Sequence, residues 1–412
     1  MKVPALCEKE LCTGCMACYN ICANNAVIKQ IDNEGFIVPE INESKCVGCN
    51  KCVKVCPILS KKFKTPEKQT AYKGWAKDEQ ILRNSSSGGV FSIIAKYIIE
   101  RNGVVYGAAF DSYFNVKHCQ AESNEELARL RGSKYVQSDI DNTYKSVLKN
   151  LEKGVNVLFT GTPCQVAGLN SFLHNRIFEN LLTIDLVCHG VPSPKIFKSY
   201  IEYLQKQNGG KITSYNFRDK KWCWMRYNST VTFSNGSVYY GKWETDAYTR
   251  GFLRELFLRK SCHSCQFANM NRQSDITLAD FWSYQCKKGE IKNNERGCSL
   301  ILLNSDNGRL MFENIKDSLI NYPITLQEAQ NCNQSLSQCF SESPLRRNFW
   351  GDFNDKGFEG VRDEYLYPEE ISDYYRIMYK YGRDSLAMKL YKVKRFGKNV
   401  LRKLLKMVKI DW

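Results

Sequence analysis

The chain has 412 residues, a length that suggests two or three domains rather than one small module. Hydrophobic residues make up 43% of it and aromatic residues 12%, which excludes global disorder. No segment reaches the roughly 18 consecutive apolar residues of a membrane span. The first twenty residues lack the apolar core of a secretory signal, and we therefore expect a cytoplasmic protein.

Basic residues outnumber acidic ones by 59 to 43, for a formal net charge of +16. Such an excess first suggests a nucleic acid partner. The 19 cysteines weaken this inference, because bound metal clusters with thiolate ligands would add negative charge that the count omits. Much of the excess also lies in one segment near the C-terminus. We therefore expect no nucleic acid partner.

The N-terminal cysteines form two runs with the spacing C-x2-C-x2-C-x3-C: Cys12, Cys15, Cys18 and Cys22, then Cys46, Cys49, Cys52 and Cys56. In this spacing, three thiolates hold one [4Fe–4S] cluster and the fourth reaches the other cluster. We therefore predict one cluster on Cys12, Cys15, Cys18 and Cys56, and another on Cys46, Cys49, Cys52 and Cys22. Zinc is the alternative, but it usually takes its ligands as two separated pairs. The segment resembles a bacterial-type two-cluster ferredoxin.

The remaining chain reads as an α/β protein. A lysine-rich polar run, Ser60 to Thr70, is typical of a linker. Apolar runs then predict buried strands over Val104–Phe110, Val155–Phe159 and Leu181–Val187. Helical periodicity predicts helices over Gly88–Arg101, Ile140–Leu151 and Pro163–His174. Their alternation favours a sheet with parallel pairing.

Three short strand patterns follow, at Ile212–Phe217, Ser229–Phe233 and Ser237–Tyr240, with Asn235-Gly236 at a turn. They predict an antiparallel insertion. A helix over Asp246–Lys260 comes next, and two more strands are expected over Asp275–Phe281 and Ser299–Asn304.

Four segments of the central region carry small residues at the ends of predicted strands or the start of a helix: Asn84–Val90, Arg131–Ser138, Phe159–Gln165 and Asp185–Pro192. Such turns bind ligands in open α/β sheets, and free N–H groups at a helix start suit a phosphate. A serine cap explains the first segment equally well. Cys262 and Cys265 form a C-x-x-C pair, which alone indicates zinc, a redox dithiol or chance.

Together these segments resemble the coenzyme F420 hydrogenase/dehydrogenase beta-subunit family, through SSSGG, GSKYVQS, GTPCQVAGL, DLVCHGVPSP, FRDK and CHSCQFANMNRQSDITLADFW. The resemblance covers about residues 70 to 330 and implies FAD beside a [4Fe–4S] cluster. It implies a third cluster on Cys164, Cys188, Cys262 and Cys265. The implied FAD contacts are Ser85, Ser86, Ser87, Gly88, Gly89, Gly132, Ser133, Lys134, Tyr135, Thr160, Gly161, Thr162, Pro163 and Gln165, to which we add His189 and Gly190.

The other cysteines show no ligand spacing. Cys7 fits neither N-terminal run and is interpreted as a spare thiol. The remaining six are interpreted as structural, because free cysteine packs well as a small hydrophobic residue: Cys119, Cys223, Cys286, Cys298, Cys332 and Cys339.

We thus expect a multidomain protein of mixed α+β and α/β class. It comprises a ferredoxin domain (1–64), an α/β flavin and iron–sulfur domain with an antiparallel insertion (65–345), and a basic helical tail (346–412). The predicted function is an iron–sulfur flavoprotein oxidoreductase that exchanges electrons between clusters and a hydride carrier or small molecule through FAD. Two alternatives stay open: a non-catalytic electron-transfer or redox-sensing module, and a dedicated reductase in cell-surface glycan biosynthesis.

The tail from residue 389 to residue 409 has nine basic and no acidic residues. Apolar residues recur in it at helical spacing: Leu390, Val393, Val400, Leu401, Leu404 and Val408. This pattern is typical of a helix at an anionic membrane surface, which predicts peripheral membrane contact. A helix packed on its own domain, or docked on a partner, is the alternative. A redox partner protein and an oligomer are both compatible with the sequence, and no residue identifies coenzyme F420 as the carrier.

Overall fold

The computed structural model describes residues 2–61, 63, 66, 68–221, 223–282, 287, 290–291 and 296–366. Residues 1–350 form one compact unit, and a second unit begins at Gly351. Among the described residues, no helix combines the length and the apolar character needed to cross a membrane. The predicted basic helix at 389–409 lies outside the described residues.

The thirteen α-helices of the described residues follow in chain order. They are α1 (Ala17–Ile21), α2 (Lys51–Lys54), α3 (Pro57–Ser60), α4 (Glu79–Arg83), α5 (Val90–Ile99), α6 (Asn124–Leu130), α7 (Thr143–Glu152), α8 (Pro163–Phe172), α9 (Pro194–Asn208), α10 (Ala247–Leu253), α11 (Asp306–Ile315), α12 (Leu326–Cys332) and α13 (Arg346–Val361).

The described strands form three sheets. They are β1 (Val27–Ile31), β2 (Ile37–Ile41), β3 (Thr70–Ala76), β4 (Val104–Phe110), β5 (Val116–Ala121), β6 (Val157–Gly161), β7 (Leu181–Leu186), β8 (Ile212–Asp219), β9 (Asn228–Phe233), β10 (Val238–Lys242), β11 (Ile276–Asp280), β12 (Ser299–Leu303) and β13 (Leu319–Ile324).

The N-terminal segment consists of short elements around the two cysteine runs. β1 and β2 form an antiparallel hairpin in which Val27 faces Ile41. The helices α1 and α2 lie within the first and second cysteine runs, and α3 begins at the proline that follows Cys56. Gly14 and Gly48 have φ values of 69° and 66°, so each allows a tight turn between two successive cysteines.

The main sheet has eight strands in the order β13-β3-β12-β11-β7-β6-β4-β5. Its central strands β4, β6, β7 and β11 are parallel, which confirms the predicted parallel pairing for this part. The outer pairs are antiparallel and make the sheet mixed. The connection from β4 to β5 spans only residues 111–115, too short for the crossover that a parallel pair requires.

The predicted antiparallel insertion is confirmed as a three-stranded sheet in the order β10-β9-β8. The predicted helix over Asp246–Lys260 is too long, because α10 ends at Leu253. Glu255 has a φ of 56°, which the α-helix does not allow, and a short 3-10 turn occupies Lys260–Ser264. The early end of α10 lets the chain extend into the C-x-x-C segment.

The N-terminal segment shares a hydrophobic core with the central domain. Cys15, Met16 and Ala17 lie in one buried cluster with Tyr144 of α7 and Leu169 of α8. Three ion pairs accompany this packing. Lys29 contacts Asp139 at 2.8 Å and Asp141 at 2.7 Å, and the buried Arg346 pairs with Glu34 through both of its terminal nitrogens. The boundary predicted at residue 64 therefore separates two parts that pack closely.

The turn before α5 packs against the sheet. Gly88 donates a backbone hydrogen bond to Ser299 Oγ at 3.0 Å and accepts one from the Ala76 N–H at 2.7 Å. A Cβ at Gly88 would lie 2.4 Å from the carbonyl oxygen of Gly74 and 2.7 Å from the Ser299 nitrogen. Both are backbone atoms of the sheet and cannot move independently.

Replacing Gly88 by alanine is therefore expected to destabilise the protein by about 2–3 kcal/mol through overpacking. The measurement is the apparent midpoint of thermal unfolding by circular dichroism, under anaerobic conditions at one scan rate. Gly351→Ala is the control, because a Cβ there meets no atom within 4 Å. We expect a midpoint several degrees lower for Gly88→Ala only. Equal midpoints for both variants would contradict this packing.

Candidate functional site

A cavity of about 660 Å3 lies at the carboxyl ends of the parallel strands. Its walls include Thr160 and Gly161 at the end of β6, Cys188 just after β7, and Asp280 at the end of β11. Open α/β sheets bind ligands at this edge, and the volume is in the range of cofactor pockets. The turns that follow β6 and β7 thus meet at one pocket, as their sequence positions predict.

Most of the sequence-predicted cofactor residues line this cavity. They are Ser85, Ser86, Ser87, Gly89, Gly132, Ser133, Lys134, Tyr135, Thr160, Gly161, Thr162, Gln165, His189 and Gly190. Gly88 and Pro163 are not among its lining residues. Gly88 packs against the sheet, and Pro163 lines a smaller neighbouring cavity that contains Cys164, Cys188, Cys262 and Cys265. The structure therefore brings fourteen of the sixteen candidates together.

The serine turn and the Gly132 turn meet at one wall. Ser86 Oγ accepts a hydrogen bond from the Ser133 N–H at 2.9 Å, and Ser87 Oγ donates to the Cys298 carbonyl at 3.0 Å. Gly132 has a φ of 82°, and the nearest atom to a Cβ there would be Ser86 Oγ at 3.9 Å. This wall is therefore built from small residues with open space in front of the backbone.

Two half-buried lysines bind the backbone carbonyls of these turns. Lys134 donates to the carbonyls of Arg129 at 2.9 Å and Arg131 at 2.8 Å. Lys220 donates to three carbonyls, including that of Ser87 at 2.7 Å. Burial lowers the pKa of each lysine to about 7. In each turn, backbone carbonyls are therefore directed at a lysine amine.

A buried ion pair forms another part of the wall. Arg218 is 3% exposed and contacts Asp280 at 2.9 Å, and it donates to the Tyr135 hydroxyl at 3.1 Å. Its guanidinium lies over the rings of Tyr227 at 4.1 Å and Trp282 at 4.9 Å. The sequence singled out Arg218 only within FRDK. Its pairing with Asp280 was missed because 62 residues separate the partners.

Two histidines lie at the cavity. His118 is fully buried between Ser138 Oγ at 2.5 Å and the Thr160 carbonyl at 2.9 Å, and burial lowers its pKa to about 4. It is therefore neutral near pH 7. His189 Nε2 lies 3.2 Å from Glu255 Oε1 but lacks hydrogen-bond geometry. No sequence motif pointed to His118, and its contacts make it a support of the β6 end.

The structure brings Cys12, Cys15, Cys18 and Cys56 together, and we call them the first cysteine group. Burial raises the pKa of the Cys18 thiol well above its usual range, and the neighbouring thiols of Cys15, Cys12 and Cys56 raise it further. Cys56 comes from the second run and lies beside the cysteines of the first, as the predicted exchange of the fourth cysteine requires. Cys7 lies beside the group. Burial and, to a smaller extent, the nearby Cys56 thiol raise the pKa of Cys7 to about 12.

The second cysteine group comprises Cys46, Cys49, Cys52 and Cys22. Burial raises the pKa of the Cys52 thiol, and the nearby thiols of Cys49 and Cys22 add to the shift. Cys22 thus crosses from the first run to the second. Cys46 begins the loop that carries Cys49 and Cys52. Cys49 is exposed, whereas Cys12 and Cys15 of the first group are each 8% exposed.

The third cysteine group comprises Cys164, Cys188, Cys262 and Cys265. Burial raises the pKa of the Cys188 thiol well above its usual range, and the nearby thiols of Cys262, Cys164 and Cys265 raise it further. Cys164 also contributes to the raised pKa of Cys15 in the first group. The first and third groups are therefore neighbours. Cys339, interpreted from the sequence as structural, lies beside Cys265.

The remaining cysteines lie apart from these groups where the structure describes them. Cys298 and Cys332 belong to the main hydrophobic core, with Cys119 packed against it. Cys223 is half-buried, and Cys286 lies outside the described residues. Among the described residues, no three side chains of His, Cys, Asp or Glu are arranged around one metal ion. That finding concerns single metal ions, whereas a [4Fe–4S] cluster holds four iron atoms and takes four cysteine ligands.

Arg259 lies between the first and third groups. It is 3% exposed, and it donates to the Cys12 carbonyl at 2.6 Å and to the Ile37 carbonyl at 3.1 Å. Its positive charge acts on the thiols of Cys164 and Cys262, whose pKa values it lowers against the larger effect of burial. No carboxylate pairs with Arg259 within the described part of the chain, and its Nη2 is buried without a hydrogen-bond partner.

Family models match most of the described chain. Residues 71–144 match the coenzyme F420 hydrogenase/dehydrogenase beta-subunit N-terminal model, and residues 154–323 match the C-terminal model. Residues 11–58 match the 4Fe-4S dicluster domain. The three matches cover the cysteine runs and the cavity-forming turns. They confirm the resemblance inferred from the sequence.

Curated relatives match shorter stretches. The coenzyme F420-dependent sulfite reductase of Methanocaldococcus jannaschii is 27% identical over 171 residues, which are 41% of this chain and 26% of the relative. Pyruvate synthase subunit PorD of Thermotoga maritima is 40% identical over 50 residues, which are 12% of this chain and 46% of the relative. The chain thus spans less than half the length of each of these relatives.

A solved structure of the F420-reducing [NiFe] hydrogenase complex from Methanosarcina barkeri contains a chain similar to this one. The similarity covers 74% of this chain and 95% of that chain, at 17% sequence identity and a TM-score of 0.42.

Proposed function

The chain belongs to the coenzyme F420 hydrogenase/dehydrogenase beta-subunit family, and on this basis we propose that it is an iron–sulfur flavoprotein oxidoreductase. It exchanges electrons between [4Fe–4S] clusters and a hydride carrier or small molecule through FAD. One observation carries this proposal. The three cysteine groups follow one another from the exposed Cys49 to the cavity, which Cys164 and Cys188 of the third group also line.

The residues around the cysteine groups fit anionic clusters. Arg259 is a buried cation without a carboxylate partner among the described residues. A buried charge is strongly unfavourable unless an opposite charge or hydrogen bonds compensate for it. A [4Fe–4S] cluster held by four thiolates carries net negative charge. Clusters in the first and third groups would therefore supply the missing countercharge.

The cavity fits a flavin dinucleotide by size and wall chemistry. Its wall at Ser86 and Gly132 is built from small residues, and the space in front of Gly132, where the nearest atom to a Cβ would lie at 3.9 Å, leaves room for a phosphate close to the backbone. Arg218, which lines the cavity, has a buried Nε without a hydrogen-bond partner among the described residues. The aromatic rings of Tyr227 and Trp282 supply flat apolar surface. When bound, FAD would accept a hydride and release its electrons singly.

The protein's own residues then have three tasks. The turns at Ser86 and Gly132 bind the dinucleotide, the enclosing rings exclude water, and Cys164 and Cys188 hold a cluster at the cavity wall. Gln165 fixes the β6 turn, because its side chain accepts a hydrogen bond from the Thr162 N–H at 2.9 Å. The relative named for coenzyme F420 supports a deazaflavin as the hydride carrier. The presence of this cavity favours an enzyme over an electron carrier that binds no substrate.

Two further assignments complete the proposal. The domains are a ferredoxin part at 1–64, the flavin and iron–sulfur part at 65–345, and the C-terminal part at 346–412. The partners are a redox protein and, through the basic tail, the membrane surface.

The third cluster is tested by iron content. The unmodified protein, purified anaerobically, is expected to hold about twelve iron atoms in three clusters. The double variant Cys262→Ser/Cys265→Ser should lose about four of them. Cys119→Ser/Cys223→Ser is the control, because both residues lie outside the three groups. Unchanged iron in the Cys262/Cys265 variant would contradict the third cluster. Zinc in place of iron in the unmodified protein would contradict the clusters altogether.

The flavin is tested with two matched glycine substitutions. Gly132 at the cavity and Gly236 at the β9–β10 turn both have a φ of 82°. Asparagine tolerates this conformation, so both variants should fold. Gly132→Asn places a side chain in the cavity and should weaken FAD binding at least tenfold, whereas Gly236→Asn should retain FAD. The measurement is the FAD released per chain on acid denaturation.

Equal FAD in the two glycine variants would show that the Gly132 wall does not contact the flavin. Clusters without releasable FAD in the unmodified protein would instead support the carrier or sensor alternative.

A further inference from the structure

The surface around the second cysteine group combines an exposed cysteine with exposed apolar and basic residues. Cys49 is exposed, and Val47 beside it is 49% exposed. The segment from residue 44 to residue 66 contains six lysines and no acidic residue. Four of these lysines are described and exposed: Lys45, Lys51, Lys54 and Lys61. No ion pair within the described residues involves them.

This arrangement differs from that at the first group. Cys12 and Cys15 are buried against the central domain, so a partner cannot reach a cluster there directly. At the second group, the ligand Cys49 is itself exposed next to the exposed Val47, and Lys45 and Lys51 are close to both in sequence. Interfaces that use electrostatic steering place one sign of charge around a small contact.

We propose that the surface formed by Lys45, Val47, Cys49, Lys51 and Lys54 docks an acidic one-electron carrier protein. The inference rests on the proposed iron–sulfur function. One electron passes between the carrier's redox centre and the cluster of the second group. The cluster is reduced as the carrier is oxidised, or the reverse, and no bond is formed or broken. The partner's negative surface complements the lysines, and its own redox centre approaches the exposed Val47 and Cys49.

Stopped-flow reduction of the full-length protein by a chemically reduced acidic two-cluster ferredoxin tests this surface. The second-order rate constant should fall steeply as ionic strength rises. The triple variant Lys45→Glu, Lys51→Glu, Lys54→Glu should be at least tenfold slower at low ionic strength and should lose most of the salt dependence. The control carries the same charge change at other exposed lysines: Lys77, Lys153 and Lys211.

Equal rates for the two triple variants would overturn the proposal. It would also be overturned if the unmodified protein bound a nucleic acid or an anionic vesicle instead of the ferredoxin, and if the first triple variant lost that binding. Reduction of both triple variants by dithionite shows that their clusters are intact. An unmodified protein without reducible clusters would refute the proposed function itself, which is a separate result.

A second inference concerns Arg259, whose buried guanidinium lies between two cysteine groups. Its Nε and Nη1 are held by the carbonyls of Cys12 and Ile37, and a Cβ on Gly14 would lie 2.9 Å from Nη1. The side chain therefore cannot turn toward solvent without displacing the cysteine loop. We infer that Arg259 is a positioning residue that raises the reduction potentials of the clusters in the first and third groups, because a fixed positive charge favours the more negative reduced state.

Potentiometric titration followed by electron paramagnetic resonance measures these potentials. Arg259→Met should shift the midpoint potentials of both neighbouring clusters to more negative values, and Arg259→Lys should shift them less because it keeps the charge. Lys29→Met is the control. It removes a positive charge from the contact between the N-terminal segment and the central domain, where Lys29 pairs with Asp139 and Asp141. Unchanged potentials in Arg259→Met, or shifts no larger than those in Lys29→Met, would overturn the inference. If Arg259→Met loses its clusters, Arg259→Gln takes its place under the same criterion.

Discussion

The close packing of the first cysteine loop on helix α8 is the constraint on which the site depends. A Cβ on Gly168 of α8 would lie 2.9 Å from Cys15 Cβ and 2.8 Å from the Tyr144 hydroxyl, so only glycine allows this approach. Cys164 lies on the same helix, one turn earlier. The approach therefore brings Cys15 beside Cys164 and joins the N-terminal cysteines to those of the central domain.

Polar contacts orient the two parts around this packing. Gln137 both accepts a hydrogen bond from the Ile37 N–H at 2.8 Å and donates to its carbonyl at 3.3 Å. Ser261, next to Cys262 of the third group, donates to the Cys12 carbonyl at 3.0 Å. Such contacts fix the backbone that carries the cysteines of two groups. The distance between the groups is thus determined by the fold rather than by flexible side chains.

The cavity also depends on contacts between distant segments. The serine turn before α5, the Gly132 turn and the ends of β6, β7 and β11 come from separate parts of the chain. Lys220 joins them from the antiparallel insertion, because its amine donates to the carbonyls of Leu82, Ser87 and Arg296. The insertion is therefore part of the site. Arg218, two residues before Lys220 near the end of strand β8, closes the pocket through its pair with Asp280.

Local patterns were sufficient to predict the ferredoxin segment, the strands β4, β6 and β7 and the insertion, since cysteine spacing and hydrophobic periodicity act over few residues. The turns lining the cavity were also predicted, because parallel strands end at one edge. Among the outer antiparallel strands, β12 was predicted, whereas β3, β5 and β13 were not. The early end of α10 and the positions of Gly88, Arg218 and Arg259 were not predicted either. Their environments arise from residues far away in the chain: Gly88 contacts Ser299, and Arg259 contacts Cys12. Only the tertiary structure decides such contacts, because burial, charge compensation and steric room depend on which distant segments meet.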